Sequence, residues 1–370
     1  MPKKHSVRAI TNMSPSSAFI PFKRRKVEGT RIETTTPLNN ALLRPIFHVL
    51  KAAVLKHAAC TGFGVTSKLD IYQKLLKFKK NLGSRQDFFM MTLDLDKCFD
   101  NIDARRLLDM TVSLLTEVNT SPTSTLHRYS ITQYVKSKDA LSSRTHRIVT
   151  DGKLLHFDEV CKVLAQHLRG AILSDGVLTS SISEEGALSV LRRLYFHHVV
   201  QMPNSAGGHS KCRQLMGIPQ GSVLSPLLCN LYYGSIENDA FLAKESGDWE
   251  RFRATTLVMR QMDDYLVLST DKNELSKLPH MRPSTSCISV YSIAYFVGNF
   301  VQSLCVLLKT FGGGINLKKS SSNVELALDI DGKRFVLPPN AHETLSWCGL
   351  SIDCRSVEVS VIIVHGAYTV

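Results

Sequence analysis

The sequence predicts an α+β fold, and three observations carry that prediction. Phe88 to Asp94 is an apolar run of strand length that emerges into acids. Thr256 to Ser269 reads as two short strands that turn back on each other at Asp263-Asp264. Stretches with helical spacing of apolar residues lie before, between and after these runs. Two like charges side by side at a hairpin tip raise each other's pKa unless something neutralises them. Mg²⁺ does so, since it is commonly held by one or two carboxylates plus substrate phosphates. The competing reading of an isolated Asp-Asp pair is a polar turn.

The bulk composition narrows the choice of class. A chain of 370 residues, 44% hydrophobic and 21% charged, is long and apolar enough to bury a large core. Its 45 Lys and Arg outnumber 32 Asp and Glu, giving +13, which favours a polyanionic partner such as nucleic acid. Nine cysteines, without a CxxC pair or zinc-ligand spacing, read as reduced thiols rather than a disulfide framework. The start, Met1-Pro2-Lys3-Lys4-His5, lacks the apolar segment of a signal peptide. Residues 284–308 are uncharged and long enough to span a bilayer. Gly298, Asn299, Gln302 and several serines dilute that stretch, so a buried helix is expected and no membrane partner.

Taken in order, residues 1–18 are polar and expected to be a disordered lead-in. Phe19-Ile20-Pro21 leads into Lys23-Arg24-Arg25-Lys26, with Arg31 beyond. Such a run is a nuclear import signal, a solvated face or a phosphate-contacting patch. Leu38 to His57 and Lys68 to Lys80 read as helices. The second is expected to bury Leu69, Tyr72, Leu75 and Leu76 and to present its lysines on the other face. Ala104 to Glu117 is the helix after the first strand, and residues 118–185 are too mixed to assign. Ser183 to Val199 is a helix with Ser183 as N-cap. A Gly/Pro/Gln loop, Met216 to Gly221, then runs into an apolar helix opening near Ser225-Pro226.

Asp94, the Asp263-Asp264 pair and the glycine loop between them belong to one chemistry. Two-metal phosphoryl transfer needs carboxylates that converge on ions roughly 3.5–4 Å apart, and strand neighbours alone cannot bracket both. Asp94 and Asp263 meet that need if their strands pair. Gly217 and Gly221 let backbone approach a flat base pair without a Cβ in the way. Asp96 shares the face of Asp94 and ranks second in that run.

These residues resemble the reverse transcriptases and, within them, the telomerase reverse transcriptases. Asp94 to Ile102 is similar to motif A, Met216 to Glu237 to motif B′, Leu257 to Leu268 to motif C, Ile315 to Ser320 to motif D and Trp347 to Leu350 to motif E. Thr179 to Val199 resembles the helix before motif B′, and the likeness runs from about Phe19 to about Val359. It implies a right-hand polymerase: a palm, meaning an antiparallel sheet with helices, together with fingers, and a thumb apparently missing. The fingers would be about 19–87 with a helical insertion about 118–205, the palm about 88–117 and 206–359, and the tail 360–370. Spacing between motifs C and D exceeds the family's, so 284–308 reads as an insertion or a gene-model error such as a retained intron.

The resemblance also assigns roles. Asp94, Asp263 and Asp264 would hold two Mg²⁺, and Lys319, with Lys318 beside it, would protonate pyrophosphate. Lys23 and Arg31 would contact the incoming triphosphate, and Leu95 would line the nucleotide site. Phe99 would be either the steric gate against a ribose or a core residue. Gln220 and Gly221 would pack under the templating pair, and Trp347, Cys348 and Gly349 would form the primer grip. The implied activity is RNA-directed DNA synthesis on chromosome 3′ ends in the nucleus. Its partners would be a telomerase RNA template, a single-stranded telomeric DNA primer and dNTPs. The alternatives are a retroelement-type reverse transcriptase and a truncated, inactive nucleic-acid-binding protein.

Overall fold

The computed structural model describes residues 40–82, 88–118, 123–135, 140–150, 156–166, 168, 170–203, 209–239, 252, 254–270, 304, 307–309, 313–323, 326–330, 333–337 and 344–361. The elements are α1 (Asn40–Lys56), α2 (Lys68–Leu82), β1 (Phe89–Asp96), α3 (Ala104–Val118), β2 (Thr123–Val135), β3 (Ala140–Thr150), α4 (Phe157–Ala165) and β4 (Ala171–Ser183). There follow α5 (Glu184–Phe196), β5 (Val199–Pro203), β6 (His209–Arg213), α6 (Ser225–Glu237), β7 (Thr256–Gln261), β8 (Asp264–Ser269) and β9 (Gly314–Ser322). The last are β10 (Leu326–Ile330), β11 (Lys333–Leu337), β12 (Thr344–Trp347), β13 (Leu350–Asp353) and β14 (Val359–Val361). Packing divides the described residues into two units: those up to Ala58 with Asp103–Leu228, and Ala59–Ile102 with Cys229 onward. The boundary falls inside α6. It also departs from the expected one, since residues 59–82 group with the sheet that carries the acids.

That second unit is built on a four-stranded antiparallel sheet in the order β7-β8-β1-β9. β1 and β8 are inner strands, which is why both read as nearly unbroken apolar runs: each face is covered. One face packs into a core made by Ile71, Leu75 and Phe78 of α2, Met90, Leu266 and Leu268 of the sheet, and Leu345, Trp347 and Ile352 of the β12-β13-β14 sheet. Burying side chains of this size contributes about 1.5–3 kcal/mol each relative to exposure. Of the expected apolar face of α2, only Leu75 turns inward. Ile71, Leu75 and Phe78, at i, i+4 and i+7, face the core, while Leu69, Tyr72 and Leu76 are exposed.

The first unit corrects the expected helical insertion. Most of the described residues in 118–205 form strands: β2 is the middle of a β3-β2-β4 antiparallel sheet, with α4 and α5 beside it in sequence. The reason is local. Thr123 to Val135 is rich in β-branched and aromatic residues, and Tyr129 and Ile131 enter one small core with Val160 of α4. Ser183 is the N-cap of α5 as expected, its Oγ accepting from the N–H of Gly186 at 3.1 Å. Among the described residues no helix is long and apolar enough to cross a membrane. Of 284–308, only Leu304, Leu307 and Leu308 are described, as buried helical residues.

Candidate active site

The acids collect at one end of the four-stranded sheet because of its register. In the antiparallel β1–β8 ladder Met90 pairs with Leu268, Thr92 with Leu266 and Asp94 with Asp264. Side chains alternate along a strand, so these six lie on one face, apolar at one end and acidic at the other. Asp263 is the second residue of the two-residue loop between β7 and β8, whose flanking pair is Gln261 and Asp264. Its carbonyl accepts the N–H of Leu95 at 2.8 Å, which pins the hairpin tip to the strand carrying Asp94. The Leu95 side chain is buried. Asp96 is exposed beyond the hairpin, and its carbonyl accepts from Asn101 Nδ2 at 3.0 Å.

Lys319 reaches Asp94 through an irregularity in β9. Asp94 pairs with Asn316 and Thr92 with Ser321, so five steps on β9 answer two on β1. The bulge is closed by Ser320 Oγ donating to the Asn316 carbonyl at 3.0 Å, and it aims the Lys319 Nζ at Asp94 Oδ1, 3.2 Å away. Bulges beside functional sites commonly re-aim a side chain in this way. Of the two adjacent lysines, Lys319 is the one paired with Asp94.

Cys348 and Gly349 have φ of 51° and 73°, as a type I′ turn between β12 and β13 requires. The Cys348 thiol lies 3.7 Å from Asp264 Oδ2. Trp347 points the other way: its ring is buried in the apolar core, so it anchors this turn rather than facing outward. Phe99 is half-buried in the turn after β1. Gln220 and Gly221 belong to the first unit, in the loop before α6. There Asn40 clamps the chain, donating to the Gly221 carbonyl at 3.2 Å and accepting from Val223 N–H at 2.8 Å. Gly217 and Gly221 both have positive φ, 75° and 90°. Lys23 and Arg31 lie outside the described residues.

The electrostatics suit a hard cation. The Asp264 carboxyl is pushed up to about 6, first by burial and then by the charges of Asp263 and Asp94. Burial, with Asp264 next to it, drives the Cys348 thiol up to about 12, so it stays a proton donor. The donor set is all carboxylate oxygen, the kind that Mg²⁺ takes. Among the described residues no three His, Cys, Asp or Glu side chains are already gathered at metal-holding spacing. Lys319 supplies the cation that Asp94 meets in this state.

Sequence reasoning missed a buried polar network behind the hairpin. Arg260 and Glu237 are 0% and 1% exposed and pair directly, and Tyr265, which follows Asp264, donates its hydroxyl to the same carboxylate. Burial alone would lower the Arg260 pKa, but Glu237 and Tyr265 outweigh it and hold it up. The available signal was a lone charge in each of two otherwise apolar segments, Thr256–Gln261 and Ser225–Glu237. Cys98, in the turn after β1, sits 3.3 Å from Cys229 of α6, and Tyr233 Oη donates to the Cys98 carbonyl at 2.9 Å.

An antiparallel sheet with helices, carrying acids on two strands and a hairpin, has the palm fold of the right-hand class. No family model matches the chain. Its similarity is to telomerase reverse transcriptase: that of Canis lupus familiaris is 23% identical over 368 residues, covering 97% of this chain and 29% of that protein. The Mus musculus protein is 24% identical over 364 residues with the same coverage, and that of Oxytricha trifallax 24% over 350 residues, 89% of this chain and 28% of that protein. The chain thus spans less than a third of the length of these relatives. Apo telomerase from Candida tropicalis matches with a TM-score of 0.53 at 17% identity, over 87% of this chain and 40% of that one. Telomerase from Candida albicans, in complex with a fragment of telomeric RNA, matches with a TM-score of 0.53 at 17% identity, over 86% and 39%. The fold is that of telomerase structures.

Proposed function

We propose that the chain is the reverse-transcriptase core of a telomerase catalytic subunit, extending a DNA 3′ end by copying RNA with dNTPs in the nucleus. The observation that carries this reading is the cross-strand pairing of Asp94 with Asp264, next to Asp263 and within reach of Lys319, in a chain similar to telomerases over nearly its whole length. Asp94, Asp263 and Asp264 would hold two Mg²⁺, which when bound lower the pKa of the attacking hydroxyl and stabilise the leaving pyrophosphate. The protein's own part is to present the three acids on fixed backbone. β1 and β8 set two of them by register, and the Leu95–Asp263 bond sets the third. Cys348 restrains Asp264 by donating to it. Lys319 carries a proton at Nζ beside Asp94, in place to meet negative charge developing on a leaving group. Phe99, half-buried in the turn that follows the strand carrying Asp94, suits a gate against a ribose 2′-hydroxyl. Gln220 and Gly221, in a loop whose glycines have positive φ, suit close approach to a base pair. The charge of +13 suits RNA and DNA partners, and the Candida albicans neighbour bound to telomeric RNA agrees with an RNA template.

The test is primer extension by the purified chain on an RNA template with a telomere-like DNA primer. Wild type should extend the primer, and Asp263→Ala should abolish extension while leaving the melting temperature within a few degrees. Extension that survives Asp263→Ala would sink the assignment. Equal use of unrelated primers would favour a retroelement enzyme, and RNA binding without extension an inactive binding protein.

A further inference from the structure

The hairpin bearing Asp263 and Asp264 rests on a guanidinium that the proposed chemistry does not use. Arg260 lies three residues before Asp263 and is fully buried. Its backbone is held on both sides, donating to the Phe63 carbonyl at 2.9 Å and accepting from Val65 N–H at 2.8 Å. Its side chain is surrounded by acceptors. Nε donates to Glu237, and Nη2 lies 3.3 Å from Glu237 Oε2 and 3.3 Å from the Asn230 carbonyl. Nη1 donates to Asn230 Oδ1 at 2.9 Å and to the Met262 carbonyl at 3.2 Å.

The last of these bonds bears on the site. Met262 is the residue immediately before Asp263, and its φ is 58°, the left-handed region where two-residue hairpins ordinarily carry glycine. A methionine stays there only when its surroundings over-determine it. Glu237 is itself fixed by four donors: Arg260 twice, the Tyr265 hydroxyl and Phe63 N–H at 2.7 Å. The clamp therefore grips the tip from both sides, through Met262 before the acids and Tyr265 after them.

We propose that Arg260, fixed by Glu237, is a positioning residue that holds Met262 in its left-handed conformation and so sets the direction in which Asp263 and Asp264 leave the hairpin. Lysine keeps the charge but, with one nitrogen, cannot reach Glu237, Asn230 and Met262 together. Glycine at 262 adopts the same backbone without help. The inference rests on the acids being a metal site.

The experiment measures Mn²⁺ affinity by electron paramagnetic resonance, with melting temperature and primer extension in parallel, on the full chain. Wild type should bind Mn²⁺, and Asp263→Asn should lose it. Arg260→Lys should weaken Mn²⁺ binding about 10-fold, the lower end of what outer-shell changes at metal sites cost. Adding Met262→Gly to Arg260→Lys should restore most of that affinity without restoring the melting temperature. A merely structural Arg260 would show loss of stability with Mn²⁺ affinity unchanged, or no rescue by glycine, and either result overturns the proposal. Should Arg260→Lys fail to fold, Glu237→Gln takes its place with the same measurements and the same reading. Wild type that binds Mn²⁺ without extending primers would remove the polymerase reading and leave the positioning role standing; wild type that binds none would remove both.

Discussion

The main-chain N–H of Leu95 donates to the carbonyl of Asp263 at 2.8 Å, joining a strand and a hairpin about 170 residues apart in sequence. The bond continues the β1–β8 ladder by one step beyond Asp94 and Asp264. Three carboxylates therefore sit on backbone that is hydrogen-bonded to its neighbours, and what remains adjustable is their side chains. That arrangement holds like charges near one another, and burial together with Asp263 and Asp94 raises the pKa of Asp264.

Replacing Lys319 by Ala should separate its chemical role from stability. Its side chain is 62% exposed, and exposed ion pairs contribute about 0–1 kcal/mol, so the melting temperature should change little. Primer extension should fall about 10²-fold or more, as loss of a general acid does. Full extension rates with Lys319→Ala would exclude it from the chemistry.

Asp264 makes the metal-free protein sensitive to pH with a definite sign. A folded-state pKa near 6, raised above the unfolded value of about 3.9, means the protonated form is favoured by folding. Stability from this group is present below about pH 4 and is lost as pH rises toward 6 and above. Asp264→Asn should therefore be more stable than wild type at pH 7 without metal, by about 1 kcal/mol or less after solvent screening. The difference should vanish near pH 4. Urea titrations at the two pH values check both signs.

Gly234→Ala should be severely destabilising. A Cβ there would lie 2.4 Å from the Thr61 carbonyl carbon and 2.5 Å from the Cys60 carbonyl oxygen, both backbone, with no flexible end to yield. Overpacking of this kind costs about 1–3 kcal/mol, and rigid partners put this site at the upper end. Gly170→Ala, where a Cβ would meet nothing within 4 Å, provides the control for backbone strain alone, its φ being 63°. Circular dichroism melts of the two variants test the contrast.

Ser183→Ala should cost about 1 kcal/mol by removing the cap of α5, with the Gly186 amide left to water. Ser183→Asp should restore the loss, because a carboxylate at a helix start also meets the helix dipole favourably. Loss of stability in both variants would show that Ser183 matters through packing instead.

Some of this was legible in the sequence and some was not, and the division follows physical range. Asp94 and the Asp263-Asp264 pair stood out because acids that end apolar runs are locally anomalous. The start of α6 at Ser225 and the cap at Ser183 are likewise local signals. Residues 118–205 misled because polar strands in a small sheet alternate weakly, so only pairing of β2 with β3 and β4 reveals them. Of the apolar face expected for α2 only Leu75 was right, because Leu69, Tyr72 and Leu76 look as fit for a core as Ile71 and Phe78, and only the position of the sheet chooses between the two stripes.

What the sequence determined by itself was the inventory: which acids, which glycines, the three strands that carry the acids and most helices, and through them the resemblance to telomerase reverse transcriptases. The tertiary structure alone decided who meets whom. It set Asp94 opposite Asp264, chose Lys319 over Lys318 through a bulge, turned Trp347 into the core, and closed Arg260 on Glu237 behind the hairpin. Local composition fixes what a segment can become, whereas register, burial and ion pairing depend on residues tens to hundreds of positions away.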